Sequence, residues 1–108
     1  MSKNKGFSGT SASRYSLALY ELAEENNSIQ EVEQHTLSII KLISDSVDFN
    51  SFIKDPTSKK EEQFKVIIEI SEKYKLNSLL TKFLRFLVSK KRFFYVETII
   101  KDFIETRS

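Results

Sequence analysis

Apolar residues recur along the chain at intervals of three and four, the period of a helix and not of a strand. In the stretch 11–25, Tyr15, Ala18, Leu19, Leu22 and Ala23 follow i, i+3, i+4, i+7, i+8 spacing, while Leu17 and Tyr20 point elsewhere, so this first helix is apolar on two faces. Asn26-Asn27 stops it. Ser28-Ile29-Gln30-Glu31 has the form of a capping box and opens a second helix that runs through residue 45, with Ile29, Val32, Ile39, Ile40 and Ile43 as its stripe. A short third helix of two turns at most is predicted at 47–54 around Phe49, Phe52 and Ile53. Asp55-Pro56 ends it, because the residue before a proline disfavours α geometry. Ser58-Lys59-Lys60-Glu61 reads as a second capping box and starts a fourth helix to residue 73, with Phe64, Ile67, Ile68 and Tyr74 inward. Asn77 caps a fifth at 78–90, crowded with Leu79, Leu80, Phe83, Leu84, Phe86, Leu87 and Val88. The last helix, 94–107, carries Val96, Ile99, Ile100, Phe103 and Ile104 on one stripe.

The pattern predicts an all-α fold: a six-helix bundle of five longer helices and the short one near 47–54. Residues 11–108 form a single helical-bundle domain, preceded by a polar, flexible N-terminal arm at 1–10. Glycine and proline total three (Gly6, Gly9, Pro56), which argues for long helices joined by short turns. A chain of 108 residues suits one domain and buries roughly two thirds of its unfolded surface, enough for a core without staples. Nine of the thirteen aromatics are Phe and none is Trp. Leu80, Leu84, Leu87, Ile40, Ile43, Ile67, Ile100 and Phe103 are the core candidates. A bundle buries one stripe of each helix; the surplus apolar surface of the first and fifth helices is buried at the centre or offered to a partner.

The chemistry is sparse. There is no cysteine, so disulfides, cysteine-based metal sites and thiol nucleophiles are excluded. His35 is the only histidine, and a metal site needs more ligands than one imidazole among scattered carboxylates; it is read as solvated or hydrogen-bonded. Glu24-Glu25 and Glu61-Glu62 are adjacent, so on a helix they diverge by ~100° and make no acid/base pair. There is no phosphate loop and no nucleophile elbow. No catalytic residue, cofactor or metal is expected. Net charge is +2, too balanced for bulk electrostatics to drive binding. The longest apolar run is four residues, against the ~20 of a membrane span. Lys90-Lys91-Arg92 followed by Phe93-Phe94-Tyr95 is the one basic-aromatic cluster of the kind that binds single strands. It reads more simply as cations at a helix C-terminus, where they offset its dipole, followed by the start of the next helix.

Three segments resemble the delta subunits of ATP synthase, the oligomycin-sensitivity-conferring family. Arg14-Tyr15-Ser16-Leu17-Ala18-Leu19-Tyr20-Glu21-Leu22-Ala23 resembles the opening helix written RYAxALFxxA. Phe52-Ile53-Lys54-Asp55-Pro56-Thr57-Ser58-Lys59-Lys60-Glu61 resembles the region around the family's mid-domain proline. Phe83-Leu84-Arg85-Phe86-Leu87-Val88-Ser89-Lys90-Lys91-Arg92 resembles N-F-L-x-L-L-x-x-N-x-R. Ser16 stands at the small position after the motif tyrosine, and Lys82 and Lys90 replace asparagines.

The resemblance implies a non-catalytic subunit of the peripheral stalk, the stator that anchors the α3β3 head. On this reading it takes the N-terminal helix of an α subunit in a groove between the first and fifth helices. Tyr15, Ala18, Leu19 and Leu22 on the first helix and Leu79, Phe83 and Phe86 on the fifth are the candidate groove residues; each also fits plain bundle core, evenly so for Leu19, Leu79 and Phe83. The family's chains are about twice as long, with a C-terminal domain that meets the b-subunit stalk, so this chain is expected to be the N-terminal domain alone. Its expected place is peripheral, on the cytoplasmic face of a bacterial inner membrane, or the matrix side in a mitochondrion. The competing function is an all-α nucleic-acid-binding module of the transcription-antitermination type.

Overall fold

A computed structural model describes residues 12–107; the expected arm at 1–10 lies outside them. Six α-helices follow in order: α1 (Ser13–Glu25), α2 (Ile29–Asp45), α3 (Val47–Ile53), α4 (Lys60–Tyr74), α5 (Ser78–Ser89) and α6 (Val96–Arg107), with a 3-10 turn at Phe93–Tyr95 before α6. Among the described residues there is no strand.

Helix ends explain the short connections. Three helices close through a left-handed residue that is not glycine: Asn27 (φ 53°), Lys75 (54°) and Lys91 (60°). After α1, the Ser28 N–H donates to the Ala23 carbonyl (2.9 Å) and the Asn27 N–H to that of Glu24 (3.1 Å). After α5, Arg92 and Lys91 donate likewise to Leu87 (2.8 Å) and Val88 (3.0 Å). Both are Schellman closures, which satisfy carbonyls the helix leaves unpaired. The basic run Lys90 to Arg92 is therefore largely the terminator of α5. Around Pro56, Asp55 Oδ1 accepts from the Thr57 N–H (2.9 Å) and hydroxyl (2.6 Å), and these bonds hold the Asp55 carboxyl below the usual carboxylate range.

Asn77 caps α5 as predicted, its Oδ1 accepting from Leu79 and Leu80. The two predicted capping boxes are corrected. Ser28 precedes α2 but its side chain makes no cap bond, because the chain enters α2 straight from the closure of α1. Glu31, its expected reciprocal partner, instead accepts from the Asn77 side chain (2.9 Å). At α4 the start moves one residue on: the Lys59 N–H donates to Glu62 Oε1 (3.4 Å).

The core is built where α6 packs against α1 and α2, and α5 closes the other side with α4 behind it. Val96, Ile99, Ile100 and Phe103 of α6 are buried, with Leu80, Leu84, Leu87 and Val88 of α5, Val32, Ile39 and Ile43 of α2, and Ile67 of α4. Ile40 is only half-buried, at the margin of this cluster. Ile68 and Tyr74, expected inward on α4, are exposed; α4 is an outer helix that buries the narrow stripe Gln63, Ile67 and Ile70. Polar ties join the helices. The buried Ser16 hydroxyl reaches the Asp102 carboxylate, joining α1 to α6. The Ser71 and Thr81 hydroxyls share a hydrogen bond between α4 and α5 (2.8 Å), and Thr81 also reaches the Asn77 carbonyl (3.3 Å). Lys54 on the α3 border and Lys101 both pair with Glu97 (2.9 and 3.2 Å). The Lys54 bond is the larger cause holding the Glu97 carboxyl below its ordinary value, with Lys101 adding to it against a counteracting desolvation.

Candidate partner groove between α1 and α5

The buried stripe of α1 is Ser16, Leu19 and Ala23, continued by Ala12 just before the helix, spaced i, i+4, i+7, i+11 from Ala12 along one face. Tyr15, Ala18 and Leu22, spaced i, i+3, i+7, lie on the adjacent face and are only partly covered. On α5 the buried stripe is Leu80, Phe83, Leu84, Leu87 and Val88, and Leu79 and Phe86 fall beside it. The two uncovered strips meet. The Tyr15 and Phe86 rings lie 6.1 Å apart at 59°, a tilted aromatic contact, and Phe83 stands 6.5 Å from Phe86 on the inner side. Lys90 Nζ sits 5.6 Å over the Phe86 ring and closes that end.

A second tie fixes the other end of α5. The Asn77 backbone N–H donates to His35 Nδ1 (2.8 Å), and its amide donates to Glu31, both on α2. The start of α5 is thereby held beside α2 near the α1–α2 corner, and its end beside the start of α1, so α1 and α5 run in opposite senses. His35 is thus a satisfied histidine whose Nδ1 acts as an acceptor. Nothing local to Asn77 signals this clasp: the residue reads as a cap, not as a group held by α2.

The candidate residues sort by exposure. Leu22 is 41% exposed and Phe86 42% exposed, whereas Leu19 is 0% and Phe83 3% exposed. Leu19 and Phe83 therefore form the underside of the strip, within the core, and have no surface to offer a guest in this conformation. Tyr15, Ala18 and Leu79 are intermediate. The candidate strip narrows to Tyr15, Ala18, Leu22, Leu79 and Phe86, with Leu19 and Phe83 buried beneath it. Leu17 is also exposed but sits on another face of α1. Among the described residues no group of three His, Cys, Asp or Glu gathers to hold a metal, and no helix is long and apolar enough to cross a membrane. The cations Lys90 and Arg92 are turned to local work, Lys90 over Phe86 and Arg92 toward the Lys90 and Lys91 carbonyls (both 3.4 Å).

Comparison with known proteins points in one direction. Residues 12–108 match the family model described as ATP synthase delta (OSCP) subunit. The chain is 66% identical over its full length to an ATP synthase subunit delta of Pelagibacter ubique (strain HTCC1062), covering 58% of that protein. It is 37% identical over 92 residues to that of Clostridium botulinum (strain Loch Maree / Type A3), covering 82% of this chain and 49% of the relative. It thus spans about half the length of the curated relatives it matches. Among solved structures, it superposes with a TM-score of 0.80 and 25% identity on a chain of the Toxoplasma gondii mitochondrial ATP synthase hexamer, covering 85% of this chain and 51% of that one.

Proposed function

We propose, from the premise that the chain belongs to the ATP synthase delta (OSCP) subunit family, that it is a non-catalytic part of the peripheral stalk and holds the catalytic head by taking the N-terminal helix of an α subunit between α1 and α5. The observation that carries this reading is the open apolar strip on which Leu22 and Phe86 stay more than two fifths exposed, Phe86 against Tyr15, while every other large apolar side chain of α5 except the half-buried Leu79 is buried. A stator part resists torque, so its task is slow dissociation and needs no chemistry. An amphipathic helix laid in an apolar groove supplies this through anchors at i, i+3, i+4 and i+7. Each large anchor contributes ~1.5–3 kcal/mol, so three or four outweigh the costs of association. The domain is then peripheral to the membrane, on the side where the head sits, which in a bacterium is the cytoplasmic face.

Titrating the domain calorimetrically with a peptide of the first ~20 residues of the cognate α subunit, long enough for one helix, tests the reading. The expected outcome is saturable one-to-one binding with a negative heat-capacity change. A folded domain that ignores a soluble peptide would overturn it. Salt-steep binding to RNA instead would favour the nucleic-acid reading.

A further inference from the structure

Resting on that groove reading, we propose that the two rims of the groove carry unlike charge and that this sets the direction in which the guest helix lies. The sequence of α5, Ser-Leu-Leu-Thr-Lys-Phe-Leu-Arg-Phe-Leu-Val-Ser, contains no acidic residue. Its groove side is a line of Lys82, Phe86 and Lys90 at i, i+4, i+8, with both lysines exposed. Arg85, its other cation, is turned away, 5.7 Å over the Phe64 ring on α4. The α1 rim differs. Glu21 and Glu25 flank Leu22 on its solvent side, both exposed, and the only cation of α1, Arg14, stands about two turns away beside Tyr15. Lys90 lies over the Phe86 ring, and none of Lys82, Lys90, Glu21 and Glu25 enters an ion pair among the described residues, so these charges have no ionic partner there.

A guest helix in such a groove has one flank toward α5 and one toward α1. Carboxylates fit the α5 flank and cations the α1 flank. Turning a helix end for end about its apolar stripe exchanges its flanks. A guest with one acidic and one basic flank therefore satisfies the rims in only one of its two directions, whereas the apolar floor alone accepts both. Charge at the rim adds little affinity but selects among poses.

The test uses two 20-residue amphipathic peptides of the same composition and apolar stripe, with acidic and basic flanks exchanged. In one, the acidic flank meets α5 when its N-terminus lies over Tyr15 and Phe86; in the other, when its N-terminus lies over Leu22 and Leu79. A nitroxide on each N-terminus broadens the NMR signals of the nearer pair. The expected result is opposite directions for the two peptides, and reversal of each on the rim-swapped variant E21K/E25K/K82E/K90E. The four positions are exposed, and circular dichroism checks that the variant folds. K82E/K90E alone weakens the first peptide about tenfold at low salt, a gap that shrinks near 0.5 M salt. One common direction for both peptides, or no reversal on the swapped rims, overturns this inference while leaving the groove intact. Failure of these peptides and of the α-subunit peptide to bind overturns the groove reading and the inference with it.

Discussion

Phe86→Ala separates groove from core. With 42% of its surface exposed, Phe86 leaves about 80 Å² of a ~200 Å² side chain for a guest to cover. At ~25 cal/mol per Å² that is ~2 kcal/mol of binding, or roughly 30-fold in Kd. The cost to folding is smaller, about 1–2 kcal/mol, because the ring is only partly packed and the void opens to solvent. Phe83→Ala is the control. At 3% exposure it leaves a closed cavity and costs ~3–5 kcal/mol of folding. Urea denaturation reads the folding terms, and titration with the α-subunit peptide reads the binding term. Phe86→Asp goes further: the carboxylate enters an apolar strip near the C-terminal end of α5, where the dipole disfavours it by a few tenths to ~1 kcal/mol, so binding is lost while the circular dichroism stays helical. If Phe86→Ala leaves Kd within about twofold, or destabilises as much as Phe83→Ala, Phe86 is core and the groove is misplaced.

His35→Leu leaves the half-buried Asn77 N–H without its acceptor, and is expected to cost ~1–3 kcal/mol of folding stability, read by urea denaturation, with amide exchange at the start of α5 accelerated most. Lys75→Gly removes the Cβ from a left-handed C-terminal position (φ 54°) and raises stability by up to about 1 kcal/mol, read as a higher Tm; a lower Tm refutes the assignment of strain there. Glu97 gives the acid side of the stability profile. Its folded pKa lies below the ordinary 4.5, first through Lys54, so the unfolded chain binds the proton more readily. Its contribution is fully present above the unfolded value and is lost as pH falls through the folded one. Both lysines are over half exposed, so the loss is small, within ~1 kcal/mol. Glu97→Gln flattens that part of the profile, and an unchanged profile would show that the pairs contribute nothing.

The helices were legible because their apolar spacing is regular and their stops are local. Asn26-Asn27, Asp55-Pro56 and Asn77 fall where α1 and α3 end and α5 begins. The capping boxes were not, because a Ser-x-x-Glu pattern does not say whether the preceding helix has already set the entry of the chain. At Ser28 the closure of α1 decides the backbone, and Glu31 is drawn off to Asn77. The surplus apolar surface on α1 and α5 was legible too, and those helices form the strip. Which residue of a crowded helix faces outward was less so. Phe83 and Phe86 are three apart and equally apolar, and only the placement of α1 against α5 buries one and leaves the other open.

The strip stays open for a physical reason that bears on its use. Leu22 and Phe86 would each gain by being covered, yet the two helices that carry them are pinned from behind. Ser16 ties α1 to Asp102 on α6, the clasp of Glu31 and His35 holds the start of α5 to α2, and the Ser71–Thr81 bond holds α5 to α4. Closure would have to break buried or half-buried polar bonds, each leaving a group to be desolvated unpaired, for the gain of covering two side chains. α1 and α5 are therefore held in place, and on the proposed reading a guest helix meets a strip that is already set. The ordering cost of binding then falls mainly on the guest, and the tightness of the grip becomes a property of the rear ties as much as of the apolar wall. On this view His35→Leu, which touches no groove residue, loosens the α-subunit peptide as well as the fold, and does so through faster dissociation.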